Sequence, residues 1–426
     1  MKKNKVMIIA IISIIIAILA GIAIYIILGI KADPNTGNGD GNDRTSQTNS
    51  GDGENSEAGE NQRASIPSTW DLEKVKPVYD EDGVLVPVPN GYTASSVLRE
   101  VDSEGNVIKD GERTVNRGFV IYEGEEDIIT NETKAMEDGE AKSAAIENDV
   151  YTAQTTRNQW VWVPVADINE IYGTNASGKK YGQLYNYNST GRTKQSYSTT
   201  GYREPDILKS YDKSTYLTQY LTETSQDDLK QELQKEYEET IKSIKEYGGF
   251  YIGRYETGGL SKIAKVVKGN TDIASQNWYT MYKKSKALNG TKRNVRTSMI
   301  WGSLWYETLE WLVESENKTY GEITNSTTWG NYSNSEVDGH GSRRATGYSE
   351  SWKANNIYDM AGNVWEWTLA VNYTDYRVYR GGGCYNSGSD DSVSSRRSNS
   401  PYYTSYILRL QSSTFNRVAL SPNSDT

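Results

Sequence analysis

The sequence predicts an α+β domain with much irregular structure, joined by a disordered stalk to an N-terminal transmembrane helix. Three observations point there. Val6 to Ile30 is an unbroken apolar run, followed by a polar stretch of Gly, Asn, Asp and Ser. Short apolar runs separated by turn residues recur between Tyr79 and Tyr122 and again from Trp160. Leu229 to Ile244 carries a helical period, while much of the remainder is Gly, Tyr, Asn, Ser and Thr without any period.

The apolar run exceeds the roughly 20 residues that cross a bilayer. Lys2, Lys3 and Lys5 precede it, and Asp33, Asp40 and Asp43 follow it after Lys31. Positive charge stays inside, so the N-terminus is expected in the cytoplasm and the rest outside the cell. A cleavable signal peptide begins the same way, but its apolar core is about 7–15 residues long and ends at a small-x-small site. This run is longer and has no clear site, so residues 1–31 are read as an uncleaved single-pass anchor in the cell membrane. Residues 32–66 hold almost no apolar side chains and cannot offset their ordering entropy, so they read as a flexible linker.

The elements then follow in order. Residues 67–154 read as a β-rich extension of the domain, with Val84–Val88 and Gly118–Tyr122 as strands and the acidic 123–149 as a loop. Trp160–Val165 alternates aromatic and aliphatic residues, and Pro164 marks the end or edge of that strand. Residues 172–203 read as an irregular insertion. Ser225 with Asp228 resembles a capping box. Leu229, Leu233, Tyr237, Ile241 and Ile244 share one helical face, and Gly248-Gly249 stops the helix. That helix docks on its own domain or binds a partner. Residues 313–355 are mostly polar, with Gly330, Gly339 and Gly341 marking loops.

The formal net charge of −10 opposes nucleic-acid binding and adsorption to anionic surfaces. The one cysteine, Cys384, excludes an internal disulfide framework, and the one histidine, His340, excludes a multi-histidine metal site. With 32 Tyr and 11 Trp against 3 Phe, the aromatic content suggests half-buried rings with polar tips.

The densest chemistry lies in Asn356-Ile-Tyr-Asp-Met-Ala-Gly-Asn-Val-Trp-Glu-Trp367, followed by Arg377-Val-Tyr-Arg-Gly-Gly-Gly383. Asp359 and Glu366 are hard oxygen ligands flanking the Gly362-Asn363 turn. Together with carbonyls at Gly362 and Val364 they form the kind of oxygen set that Ca2+ prefers, about 6–8 ligands at roughly 2.3–2.6 Å. The alternative is a tight turn into a strand with one buried face, Trp365 and Trp367, with Glu366 capping backbone amides.

These two stretches resemble the formylglycine-generating enzyme (sulfatase-modifying factor) family, which has a variant of the C-type lectin fold. Other pieces agree in order. Trp160-Val-Trp-Val-Pro-Val165 is similar to that family's opening strand, and Gly249-Phe-Tyr-Ile-Gly-Arg-Tyr-Glu-Thr257 to its strand ending in Tyr-Glu-x-Thr. Trp301–Trp311 resembles its Trp-centred helix, and Asn416–Leu420 stands where the family ends in Gly-Phe-Arg. The resemblance covers residues 155–420 and implies a C-type lectin-like domain there. The terminal core strand falls at either Leu408-Arg-Leu410 or Asn416-Arg-Val418.

The resemblance raises an enzyme reading: an oxidoreductase-type sulfatase-modifying enzyme acting on a protein cysteine. Such enzymes hold copper between two cysteines shortly after the Arg-Gly-Gly element, and those positions here are Asn386 and Asp391. Neither supplies the soft thiolate that copper(I) needs. The related iron-dependent branch needs a histidine cluster, which one histidine cannot supply. Cys384 is a displaced thiol, either tolerated or a nucleophile.

What remains is Tyr385 to Thr414, built largely from Ser, Tyr, Asn, Asp, Thr and Arg. Tyr offers rigid amphipathic area, and Ser and Asn offer adaptable hydrogen bonds, as in antibody paratopes. The segment resembles the variable region of diversity-generating retroelement proteins, which share the lectin-like fold; the alternative is an ordinary polar loop. The sequence therefore points to a membrane-anchored extracellular protein with a catalytically inactive domain that binds a protein or glycan. The expected ligand-binding residues are Tyr385, Asn386, Asp390, Asp391, Arg396, Arg397, Asn399, Tyr402, Tyr403 and Tyr406.

Overall fold

A six-stranded sheet with two buried faces organises the chain. The computed structural model describes residues 63–125, 153–206, 226–259, 263–271, 276–288, 295–337, 339–373, 376–401, 414–416 and 418–422. The expected membrane anchor, most of the linker, Ser225, and Tyr402, Tyr403 and Tyr406 lie outside the described residues. Among the described residues no helix is long and apolar enough to cross a membrane.

The strands that build the two main sheets are β1 (Tyr92–Ala94), β2 (Val120–Glu123), β3 (Gln159–Pro164), β4 (Gly249–Gly253), β5 (Val295–Met299), β6 (Trp365–Asn372), β7 (Tyr376–Arg380), β8 (Arg396–Asn399), β9 (Thr414–Asn416) and β10 (Val418–Pro422). The larger sheet runs β5-β10-β4-β3-β2-β1, every pair antiparallel. The smaller runs β8-β7-β6-β9, with β6 and β9 parallel. The helices are α1 (Gln226–Tyr247), α2 (Trp278–Ala287), α3 (Gly302–Glu314) and the short α4 (Tyr320–Thr324). The chain is thus mixed α and β, richer in strands than in helices.

The period of two along each strand divides the core. Val161, Val163, Phe250 and Ile252 face a cluster that contains α1, α2 and α3. Trp160, Trp162 and Tyr251 face a second cluster with Val86, Val88, Phe119 and Ile121. The alternation of Trp and Val in β3 therefore reflects two different interiors rather than an inside and an outside. Pro164 ends β3, which is a central strand and not an edge.

The amphipathic helix forms as its spacing predicts. Leu229, Leu233, Tyr237, Ile241 and Ile244 are all buried against the domain, and Gly248 takes φ 82° to end the helix, its N–H bonded to the Ile244 carbonyl at 2.8 Å. Residues 67–125 contribute β1 and β2 to the larger sheet. A buried ion pair ties that region to β4. Arg254 donates to Glu112 at 2.6 Å, and Ser95 and Tyr122 also donate to that carboxylate at 2.7 and 2.9 Å. Burial works against ionised Glu112, yet the Arg254 charge and these bonds hold its carboxyl below the usual range.

Three expectations are corrected. Residues 172–203 are not irregular throughout: Tyr172–Thr174 pairs with Lys180–Gly182, and Tyr185–Asn188 with Gly191–Lys194, as small hairpins. Their Asn175 and Asn188 side chains fold back on backbone amides and supply the turns. Second, β6 buries all of its residues rather than one face. It lies between β7 and β9, and Trp278 of α2 donates to the Thr368 carbonyl at 2.9 Å. Third, the Ser/Tyr-rich stretch contains a strand, β8, paired with β7. At the terminus, β10 inserts between β5 and β4, which favours the Asn416-Arg-Val418 register for the last core strand.

Helix α3 carries Glu307, Glu310 and Glu314 along one side. Glu310 accepts from Tyr320 at 2.6 Å and pairs with Arg192 at 3.0 Å. Glu307 is only 7% exposed. Burial, and then the nearby charges of Glu314, Glu310 and Glu170, push its carboxyl up to about 8 against the opposing pull of Arg192.

Candidate functional site

The Gly-Asn turn is held by protein groups. Asp359, Gly362 and Asn363 all take left-handed backbone, with φ of 58°, 77° and 55°. Asp and Asn tolerate that region. At Gly362 a Cβ would lie 2.2 Å from the Asn331 carbonyl oxygen, so only glycine fits. Glu256, from the Tyr-Glu-Thr end of the β4 segment, accepts from Val364 N–H at 3.1 Å and from the Asn363 side chain at 2.5 Å. Asn363 bonds Asn331 through backbone N–H (2.9 Å), and its side-chain oxygen accepts from Asn331 and from Arg344 N–H, both at 3.0 Å. Its carbonyl accepts from Cys384 N–H at 3.0 Å.

These contacts bear on the calcium expectation. Asp359 accepts Gly347 N–H at 2.6 Å. Glu256 accepts from the Val364 N–H, a bond that does not use the Val364 carbonyl oxygen. Glu366 is buried and stands opposite Arg380 in the β6–β7 register, while the Arg380 guanidinium lies over the Tyr306 ring at 4.1 Å. Among the described residues no group of three or more His, Cys, Asp or Glu side chains is placed to hold a metal, and calcium at Asp359, Gly362, Val364 and Glu366 stands as a proposal.

Past β7 the chain makes the Arg380-Gly-Gly-Gly383 turn, with Gly381 and Gly382 at φ 90° and 79°. Tyr332 donates to the Gly381 carbonyl at 2.6 Å. Cys384 follows and is buried; burial, and then the Glu256 charge, push its thiol up to about 12. The shift favours the protonated thiol at neutral pH.

The segment after Cys384 divides into supports and presented groups. Asp391 is only 8% exposed and bridges its own loop: it accepts from the Asn386 side chain at 3.0 Å and from Arg397 Nε at 2.7 Å. Asn386 also accepts from Trp365 Nε1 at 2.9 Å. Val393 is buried, and its carbonyl accepts from Trp305 Nε1 at 3.1 Å. Arg396 is half-buried; it lies over the Tyr202 ring at 4.4 Å, donates to Gln195 at 2.6 Å and bonds Asn186. Asn399 is half-buried and accepts from Ser400 N–H. Tyr385, Asp390 and Arg397 are exposed, Tyr385 by 54%.

Of the ten expected ligand-binding residues, Tyr385, Asp390 and Arg397 face solvent, while Asn386, Asp391 and Arg396 are mostly engaged in holding the segment. The exposed face is extended by residues the sequence did not single out. Ser333 donates twice to the Asn386 carbonyl, each at 2.9 Å, and Asn334 accepts from Gly388 N–H at 2.8 Å. Both residues are exposed. Nothing in their local sequence marks them; only the fold brings them beside residues 385–390. Glu256 was visible as part of a motif, but its role as the brace of the Gly-Asn turn was not.

Asn386 and Asp391, the positions where the resemblance places copper-binding thiolates, are in direct contact through the 3.0 Å bond already described. An amide and a carboxylate are hard donors engaged with each other, unsuited to copper(I). No protein-family model matches the chain, and no curated protein matches it either.

Proposed function

We propose that this chain is a membrane-anchored extracellular binding protein. In this reading a lectin-like domain of the sulfatase-modifying type, lacking that family's catalytic metal ligands, presents a protein- or glycan-binding face. The observation that carries it is the division of labour within residues 385–397: Asp391, Asn386 and Val393 are tied down beneath, while Tyr385, Asp390 and Arg397 stand outward. A rigid support under exposed Tyr, Arg and Ser side chains suits recognition, since little side-chain entropy remains to be lost on binding.

The resemblance is supported by geometry as well as by motif. The two thiolate positions are neighbours here, and Glu256 of the Tyr-Glu-Thr segment contacts the Gly-Asn turn. The rival, an oxidoreductase-type enzyme acting on a protein cysteine, would need a soft metal site or a thiolate, and Cys384 is buried with its thiol held protonated.

The test uses the full chain in detergent, screened against arrays of glycans and secreted proteins. The combined Tyr385→Ala and Asp390→Ala variant is expected to lose every specific signal while keeping its unfolding temperature. Hits that persist in that variant would move the binding face elsewhere. Copper-dependent oxygen consumption on a cysteine peptide would favour the rival.

A further inference from the structure

A small hairpin joins helix α3 to the edge strand β8. Its strands, Tyr185–Asn188 and Gly191–Lys194, pair with each other and belong to neither main sheet. A two-stranded hairpin is marginal by itself, so this one depends on what its side chains hold. The period of two divides those side chains between two faces. On one face Tyr187 stacks on Tyr306 of α3, with ring centroids 5.6 Å apart, and donates to the Tyr306 carbonyl at 3.2 Å. On the same face Arg192 pairs with Glu310 of α3 at 3.0 Å and with Glu170 at 3.5 Å. On the other face Asn186, and Gln195 just past the second strand, accept from the guanidinium of Arg396 in β8.

The α3 side of this hairpin is a poor place for a further charge. Glu307 is buried there. Among the described residues it faces Glu310 and Glu314 from its own helix and Glu170 from the Ile168–Glu170 turn, with Arg192 as the opposing charge. Tyr185 of the hairpin faces it as well, Tyr320 of α4 donates to Glu310, and Lys194 pairs with Glu170 at 2.6 Å. Arg192 is thus already shared by Glu310 and Glu170, and an ionised Glu307 would be a third carboxylate beside one guanidinium. The relief open to the fold is for the hairpin to lift and admit water, since it lies outside both main sheets. Closed, the Glu307 carboxyl keeps its proton up to about pH 8; in water it would release it near 4.5. Its contribution to closure is therefore whole below about pH 4.5 and is lost as pH rises to about 8.

We propose that this hairpin is a pH-sensitive clasp, which loosens from α3 as pH rises and with that gives up its hold on β8. The device needs no ligand, so it stands or falls apart from the binding face. The test is hydrogen exchange read by mass spectrometry, on the full chain in a neutral detergent at pH 5 and pH 7.5. Rates are corrected for the intrinsic pH dependence of amide exchange. Protection over residues 184–195 is expected to fall at least about tenfold from pH 5 to pH 7.5, equivalent to about 1.4 kcal/mol, and protection in β8 should fall with it. Glu307→Gln removes the titration and should hold both within about twofold. Should that variant misfold, the wild-type change alone decides. Unchanged hairpin protection, an equal fall in Glu307→Gln, or a fall that spares β8 would each overturn the proposal. So would a hairpin that exchanges no faster than β4 at both pH values, because it would then open only with the whole domain.

Discussion

Replacing Glu307 by Gln should stabilise the protein, and increasingly so as pH rises. The carboxyl is buried near Glu310, Glu314 and Glu170, with Arg192 as the opposing charge, and it is pushed from 4.5 up to about 8. The folded state therefore keeps a proton that the unfolded chain releases. That contribution is fully present below about pH 4.5 and is lost as pH rises to about 8, so this group makes stability fall across that window. Each tenfold change in proton affinity is worth about 1.4 kcal/mol, so the full loss is on the order of 3–5 kcal/mol. Glutamine keeps the shape and removes the titration. Urea unfolding of the full chain, followed by tryptophan fluorescence at pH 5, 7 and 9, should give nearly equal stabilities at pH 5. At pH 9 the Glu307→Gln variant should lead by several kcal/mol. A difference between variant and wild type that is the same at pH 5 and pH 9 would refute the reasoning.

Three further outcomes are expected. Glu256→Gln should cost about 2–3 kcal/mol, since an amide group replaces one of two oxygens that accept from Val364 and Asn363; thermal unfolding reads it. Calcium at the Asp359 turn predicts that EGTA lowers the unfolding temperature by more than about 2 °C, and an unchanged value would mean that the carboxylates only cap the turn. Cys384 should resist a disulfide reagent at pH 8 until the chain is unfolded; labelling of the folded protein would contradict its burial and protonated state.

Periodic features were the legible ones. The face Leu229–Ile244 and the alternation in β3 fix local geometry through side-chain spacing, and both formed as read. What spacing cannot state is how many interiors a strand faces. The Trp-Glu-Trp of β6 reads as one buried face because Glu366 is polar, yet the carboxylate lies inside, opposite Arg380. The candidate site was legible in composition but not in exposure. Asp391 and Asp390 are adjacent and chemically identical; one supports the loop and the other faces water, a difference set by Asn386 and Arg397. Ser333 and Asn334 reach that face from far along the chain, and no local pattern encodes such a meeting.

Asn363 joins loops that lack regular structure: its partners are Asn331, Arg344, Cys384 and Glu256. A domain this rich in loops would ordinarily open piece by piece, each stretch exchanging its amide hydrogens at its own rate. A shared hub prevents that, because releasing one loop strands the groups that the others depend on. The amides of Arg344, Val364 and Cys384 should therefore exchange as one cooperative unit, at a free energy close to that of global unfolding. The irregular half of the molecule would then be as slow to open as its central sheet.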